Sequence, residues 1–362
     1  MSWGKLELAQ IVTRAVVILL LSFGLAAAND TYAAAPADEK TKVGLLEKAK
    51  KEGKVVLYTG QTIEDLKEIT PLFEKKYPFV KVDIFRSGAA KLFARALSEY
   101  RAGKHLADIF GSSFWATQQY FEKGLLGNYK SPEGQAIPEY CKDKEGYWSC
   151  DYINIGVIAY NTKLVPREKA PRSYQDLLDP WWKGKIGLDD TGFRWYGSML
   201  KIMGKEKGQN FMQRLAHQNI SFRRGQNLLA QLLQAGEFAA VINLYNNDIE
   251  QLKMKGAPVD WVAPLDQPTV ITPHAIALAK NPPHPNAARL YIDFILSREG
   301  QEILSRLNNV PARSDVPPNP ARLMLGADGK RLKFLSVDLE FAKGANELAD
   351  EFRKLFMGQE VK

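Results

Sequence analysis

The sequence lacks the features by which most enzymes and metalloproteins are identified. It has only two cysteines and four histidines in 362 residues, and the histidines have no metal-ligand spacing. It contains no Gly-x-Ser-x-Gly, His-Glu-x-x-His or P-loop motif. We therefore predict that the protein is not an enzyme and that it carries no metal and no cofactor.

Runs of basic residues are also absent. The formal net charge is +8, but lysine and arginine are scattered and form none of the stripes that nucleic-acid binding requires. We predict that nucleic acid is not a partner, and the basic balance favours an anionic small ligand only weakly. A hydrophobic content of 45% is ordinary for a soluble globular protein of one large or two medium domains.

Only one long apolar run occurs, close to the N-terminus. Residues 15–28 are almost wholly apolar and follow Lys5 and Arg14, but the run is too short to span a bilayer comfortably. Ala-x-Ala sites ending at Ala28 or Ala35 come next, which is the layout of a cleavable signal peptide. We predict a signal peptide over residues 1–35 and export to the periplasm, with an uncleaved anchor as the alternative.

The two cysteines, Cys141 and Cys150, flank a short polar stretch, KDKEGYWS. In an oxidising compartment such a pair favours a local disulfide. Closing a loop of this size stabilises a fold by about 2–3 kcal/mol through chain entropy. We predict a Cys141–Cys150 disulfide, and two free thiols are the alternative.

Predicted strands alternate with predicted helices from residue 55 onward. Strands over 55–60, 80–88 and 107–113 each precede a segment whose apolar residues recur at helical spacing. This pattern predicts an α/β fold with mainly parallel sheets flanked by helices. Ligands bind such sheets beyond the C-terminal ends of the strands, where helix N-termini suit an anion.

Small polar residues stand at each of these strand ends, as Thr59 with Gly60, Ser87 with Gly88, and Ser112 with Ser113. A later apolar strand, over 239–244, ends in the same way at Tyr245. We predict that these ends face one cleft, although each of them alone is equally typical of an ordinary turn.

Long apolar segments over 152–162 and 272–281 predict two strands that cross between lobes. We predict lobe I over residues 42–151 with a return segment over 272–316, and lobe II over 152–271. A C-terminal helical segment over 317–362 is expected to pack on the lobes.

Several stretches resemble type 2 periplasmic solute-binding proteins of ABC importers, in the ferric-ion-binding-like branch. They include KEGKVVLYTGQT, ARALSEYRAGKHLADIF, INIGVIAYNTKLVP and QAGEFAAVINLYNND, and the resemblance runs from about residue 50 to 316. It implies a two-lobed fold with the ligand cleft between the lobes, hinge closure on the ligand and delivery to an inner-membrane permease. We expect the protein to act as a monomer.

The resemblance does not extend to the iron ligands. Thr62 stands where ferric-binding members have a histidine, and Ser113 stands where they have a glutamate. Tyr245 is retained, but Asn246 replaces the second tyrosine of a pair. Because Fe³⁺ requires several anionic or imidazole ligands, we predict no metal site, with ferric iron or a ferric chelate as the alternative.

Two arginines near the predicted cleft favour an organic anion. Arg86 ends the second strand and Arg194 begins a later helix, and guanidinium groups suit carboxylate, phosphonate or sulfonate oxygens. A surface ion pair is the alternative for each. We predict the binding component of an ABC importer for a small organic anion, or alternatively a periplasmic sensor subunit for a membrane kinase. The candidate ligand-binding residues are Thr59, Gly60, Thr62, Arg86, Ser87, Gly88, Ser112, Ser113, Thr191, Gly192, Phe193, Arg194, Asn243, Tyr245 and Asn246.

Overall fold

The computed structural model describes residues 39–264, 266–326, 328–335 and 345–358. The predicted signal peptide lies outside the described residues. Within the described part of the chain, every helix is too short or too polar to cross a membrane.

Lobe I begins with the predicted alternation of strands and helices. Strand β1 pairs in parallel with both β2 and β3, and their helices bury Phe73 and Leu92 completely. The elements are α1 (Glu39–Glu52), β1 (Lys54–Thr59), α2 (Ile63–Lys76), β2 (Lys81–Arg86), α3 (Ala89–Arg101), β3 (Ile109–Ser113) and α4 (Phe114–Glu122).

Lobe II repeats this architecture around a second core. Strand β5 pairs in parallel with β6 and β7, and Trp182 and Trp195 are almost fully buried beneath them. The elements are β4 (Ser149–Asn161), β5 (Ile186–Asp189), α5 (Phe193–Met203), α6 (Lys205–Ala216), β6 (Ser221–Arg223), α7 (Gln226–Ala235), β7 (Ala240–Tyr245), α8 (Asn246–Met254) and β8 (Val259–Val262).

Two long strands connect the lobes, as predicted. Strand β9 (Thr269–Leu278) lies antiparallel to β3 and to the first half of β4. The second half of β4 pairs with β7 and β8 of lobe II. The strand order is therefore β2-β1-β3-β9-β4-β7-β5-β6, and the two lobes are joined through β4 and β9.

The rest of the described chain packs on both lobes. Helix α11 inserts Phe352 between the rings of Tyr196 and Phe222 in lobe II, while residues 336–344 lie outside the described part. The residue bounds predicted for the lobes and the C-terminal segment stay predictions. The remaining elements are α9 (Pro285–Leu296), α10 (Arg298–Arg306), β10 (Val310–Pro311), β11 (Phe334–Leu335) and α11 (Ala345–Met357).

The structure corrects the predicted disulfide. Cys141 and Cys150 are both free thiols, buried in the core of lobe I. Burial, followed by a hydrogen bond with Cys141, raises the pKa of the Cys150 thiol. Cys150 is thus held as a neutral thiol, whereas the thiolate is the reactive form of cysteine.

Gly156 lies where β4 passes from one lobe to the other. Its neighbour Ile155 still pairs with β9, whereas Gly156 itself pairs with Tyr245 of β7. A Cβ atom at this position overlaps the Asn243 side-chain oxygen and lies 3.2 Å from the Val270 carbonyl oxygen. Glycine is therefore required by the close approach of three strands.

We expect Gly156→Ala to lower the free energy of unfolding by on the order of 1–3 kcal/mol, because the added methyl group displaces Asn243 or the backbone. Urea unfolding of the protein measures the change. Gly134→Ala is the matched control, since nothing lies within 4 Å of its Cβ position. Equal stability of the two variants would contradict the steric argument.

Candidate functional site

A cavity of about 520 Å³ lies between the two lobes and is lined by residues of both. Most of the residues predicted to bind a ligand contribute to its wall. Those that line it are Gly60, Thr62, Gly88, Ser112, Ser113, Thr191, Gly192, Arg194, Asn243 and Tyr245.

Six helices begin at this cavity, three from each lobe. The residues that precede their first turns all line it, and these are Thr62, Gly88, Ser113, Gly192, Gly225 and Tyr245. The first N–H groups of a helix have no intrahelical acceptor, and the helix dipole adds partial positive charge there. Of the six, only Thr62 accepts a backbone N–H with its side chain. The cavity is therefore rich in backbone donors that suit an anion.

Two other cavities, of about 460 and 490 Å³, lie within one lobe each. Neither is lined by any of the six residues that precede these helices. Among these three cavities, the one between the lobes is thus distinguished by its chemistry rather than by its size.

Arg194 places a guanidinium in the same cavity. Its Nε atom is buried and has no hydrogen-bond partner, and burial lowers the pKa of the group. The guanidinium carbon lies 5.3 Å from the Trp115 ring centroid of lobe I and 5.0 Å from that of Phe193. A buried unsatisfied donor is costly in an empty site, so Arg194 is positioned for an acceptor that the chain itself does not supply.

Asp189 organises the loops of lobe II. Its carboxylate accepts hydrogen bonds from the Thr191 backbone N–H at 2.8 Å, the Thr191 hydroxyl at 2.6 Å and the Gly225 N–H at 2.9 Å. These contacts fix the loops that precede α5 and α7. We conclude that Asp189 shapes the wall, because its hydrogen-bonding capacity is used by the protein.

Two other carboxyl groups in the wall are less well satisfied. Burial, followed by the charges of Asp65 and Glu64, raises the pKa of Asp248 to about 7. Burial also raises the pKa of Asp65, although Asn309 and Thr62 oppose the shift by hydrogen bonding. These two groups give one part of the cavity an acidic character.

His274 lines the cavity from β9. Its Nδ1 lies 2.7 Å from the Asp151 carboxylate, its ring stacks on Tyr152 at 4.4 Å, and its Nε2 has no partner. Because Asp151 accepts a hydrogen bond, Nδ1 carries the proton and Nε2 is left as the ring's acceptor when the histidine is neutral. The pair therefore supplies a rigid polar group to the cavity wall.

Five predicted residues lie outside the cavity wall. Arg86 donates from Nε to the Gln61 carbonyl at 2.6 Å, and this contact turns its guanidinium into the β1–α2 turn. Thr59 accepts from the Gln61 N–H, and Asn246 donates to the Leu323 carbonyl. The residues outside the wall are Thr59, Arg86, Ser87, Phe193 and Asn246.

Some lining residues were not predicted, although a sequence signal existed for two of them. Asp65 and Asp248 each stand three positions after a residue that precedes a helix, Thr62 or Tyr245. That offset places them in the first helical turn, beside the strand ends that were predicted. The unpredicted polar and aromatic residues of the wall include Asp65, Trp115, Tyr152, Asn154, Asp189, Arg224, Asn247, Asp248, Thr272 and His274.

Comparison with known proteins identifies a family and several similar proteins. Residues 104–338 match the family described as bacterial extracellular solute-binding protein. A putative 2-aminoethylphosphonate-binding periplasmic protein of Salmonella typhimurium is 26% identical over 223 residues, which are 59% of this chain and 64% of that protein.

Solved structures share the fold. The periplasmic binding protein AfuA of Actinobacillus pleuropneumoniae, with exogenous fructose-6-phosphate bound, superposes with a TM-score of 0.70 at 26% identity, covering 84% of this chain and 99% of that chain. Iron-bound HitA of Pseudomonas aeruginosa gives a TM-score of 0.67 at 23% identity over 83% and 99% of the two chains. At 23% identity the similarity to HitA shows a shared fold and nothing about the ligand.

We expect Asp248→Asn to stabilise the protein at high pH. Because the folded-state pKa is raised to about 7 from an ordinary 3.8, this group stabilises the fold least when it is ionised, and wild-type stability falls as pH rises from about 4 through 7. The variant should gain on the order of 1–3 kcal/mol at pH 8.5 and little at pH 4, as measured by urea unfolding.

Asp190→Asn is the control for this measurement, because Asp190 pairs with Arg224 at 2.9 Å and does not line the cavity. It should give no gain at high pH. A gain from Asp248→Asn that is the same at both pH values would contradict the assigned ionisation.

Proposed function

The chain belongs to the bacterial extracellular solute-binding protein family, and on that premise we propose that it is the periplasmic binding component of an ABC importer for a small organic anion. The observation that carries the proposal is the meeting of six helix N-termini and the unpaired Arg194 Nε in one cavity between the lobes. We further propose that the signal peptide directs export, that the protein acts as a monomer and that it delivers its ligand unchanged to an inner-membrane permease.

Phosphonates and phosphate monoesters are the anions that fit this donor set best. A tetrahedral group has three oxygens that can accept hydrogen bonds from several directions, whereas a carboxylate has two in one plane. The donors converge from both lobes rather than from one side. The names of the similar proteins, which refer to 2-aminoethylphosphonate and fructose-6-phosphate, support this choice, and a cavity of about 520 Å³ accommodates such solutes.

Binding is coupled to closure of the lobes in this proposal. The two walls are connected by β4 and β9, so a rotation about these strands changes the width of the cavity. An anion that accepts from helices of both lobes interacts more strongly with the closed form than with the open form, and therefore shifts the population toward closure. Expulsion of water then strengthens each polar contact.

Direct coordination of ferric iron is less compatible with the site. Burial is the main cause that raises the pKa of the Tyr245 phenol to about 12, which disfavours the phenolate that Fe³⁺ prefers. Within the described part of the chain, no cluster of three or more histidine, cysteine, aspartate or glutamate side chains is arranged to hold a metal. A ferric chelate would have to be recognised through its anionic groups, which the ligand screen below also tests.

The first experiment is a thermal-shift screen of phosphonates, phosphate monoesters, carboxylates, sulfonates and ferric chelates. A ligand that binds only the folded state raises the melting temperature. We expect the largest shifts from phosphonates or phosphate monoesters. If no anion in the set shifts the transition, the proposed function is wrong.

Arg194→Gln should then weaken binding of the best anion by about tenfold or more, because a charged hydrogen bond to the ligand is lost. Isothermal titration calorimetry measures the affinity. Arg86→Gln is the matched control and should stay within about twofold of the wild type, since its Nε already bonds to the Gln61 carbonyl. If Arg86→Gln weakened binding more than Arg194→Gln did, Arg86 would be the ligand-binding arginine and the role given to Arg194 would be contradicted.

A further inference from the structure

One corner of the cavity has a chemistry that an anion does not use. Asp65 from α2, and Asn247 and Asp248 from α8, all line it, and we call these three residues the acidic corner. Two of them are carboxyl groups that act on each other electrostatically. The corner belongs to the same cavity as Arg194 and Tyr245, and the charges of Asp248 and Arg194 shift the pKa of the Tyr245 phenol in opposite directions.

A chain of hydrogen bonds identifies which side-chain atom of Asn247 has no hydrogen-bond partner. A carboxylate only accepts, so the 3.3 Å contact between Asn309 and Asp65 identifies the Asn309 amide nitrogen as its donor. The Asn309 oxygen is then free to accept from the Asn247 nitrogen at 2.9 Å. The Asn247 oxygen is therefore the remaining atom, and it has no partner although the residue is only 3% exposed.

The acidic corner consequently has more acceptors than donors. The hydrogen bonds that reach Asp65 from Asn309 and Gln251 are long, at 3.3 and 3.5 Å, and the Thr62 side chain is its other hydrogen-bond partner. The described cations of the cavity wall contact other groups: Arg224 pairs with Asp190, and the Arg194 guanidinium faces aromatic rings. Buried acceptors of this kind need a donor, and a cationic donor satisfies both the charge and the hydrogen bonds.

We propose that the acidic corner binds a protonated amino group of the ligand, so that the preferred solute is an amino-substituted organic anion. The inference rests on the proposed function, since it assigns the second end of the same ligand. The anionic group lies against Arg194 and the N-termini of α3, α4, α5 and α7. The ammonium group donates to Asp65, Asp248 and the Asn247 oxygen, which stand in the first turns of α2 and α8. A primary ammonium has three donors, which matches three acceptor side chains.

The test compares matched ligands that differ only in the amino group. Isothermal titration calorimetry is run on the exported form with 2-aminoethylphosphonate against ethylphosphonate, and with O-phosphoethanolamine against ethyl phosphate. We expect the amino compound of at least one pair to bind about tenfold tighter or more, since a charged hydrogen-bonded contact is gained. Asp248→Asn should reduce that preference to about threefold or less while retaining affinity for the compound without the amino group.

Two control variants separate the ends of the ligand. Asp83→Asn removes a surface carboxylate that pairs with Lys54 at 3.7 Å and does not line the cavity, and it should keep the full preference. Arg194→Gln should weaken both members of a pair by a similar factor. Melting temperatures of all three variants confirm that they are folded.

The outcomes distinguish this inference from the proposed function. If wild-type protein binds both members of each pair equally, the acidic corner does not hold an amine, and the anion-binding function stands. If neither pair of compounds binds but other anions raise the melting temperature in the screen, the inference is wrong and the anion-binding function stands. If sodium or potassium chloride, but not choline chloride, stabilises the wild type and Asp248→Asn removes the effect, the corner binds an inorganic cation and the inference is wrong.

Discussion

The site depends on one geometric constraint. In each lobe three parallel strands end at the same edge of the sheet, and a helix begins after each of them. In lobe I this edge collects the starts of α2, α3 and α4, and in lobe II it collects those of α5, α7 and α8. Because the lobes face each other across β4 and β9, the two edges meet. Backbone N–H groups and helix dipoles therefore converge without requiring any particular side chain.

The partial positive charge of these backbone groups favours a ligand of negative charge but does not determine which anion binds. The proposed selection among anions comes from the side chains that supplement it, which are of two chemical kinds. Arg194 extends the donor-rich part, whereas Asp65 and Asp248 create a local excess of negative charge. In a buried site the interaction between these charges and a ligand is strong, so the spacing of the two kinds of side chain selects among solutes of the same charge type.

The sequence allows the fold to be predicted because the strand and helix periods are clear, and the ends of strands locate the cavity. Gly60, Gly88 and Ser113 line the cavity because the backbone sets their place at strand ends, and their part in ligand binding stays a prediction. Arg86 does not line the cavity, because a long side chain has several partners in reach, and the Gln61 carbonyl is one that sequence does not reveal. Asp248 was missed for a related reason, since the direction of a first-turn side chain depends on how the helix is rotated against its neighbours.

The crossing strands are also part of the site. Gly156 permits Asn243 to approach β4, and Asn243 holds a left-handed backbone conformation with φ of 61° while lining the cavity. Thr272 and His274, on β9, line the same cavity from the other crossing strand. A rotation of the lobes would therefore move side chains that line the cavity, and a ligand that fixes these side chains would resist the rotation. In the proposed mechanism the connecting strands and the cavity share residues, so that ligand binding and lobe closure form one equilibrium rather than two.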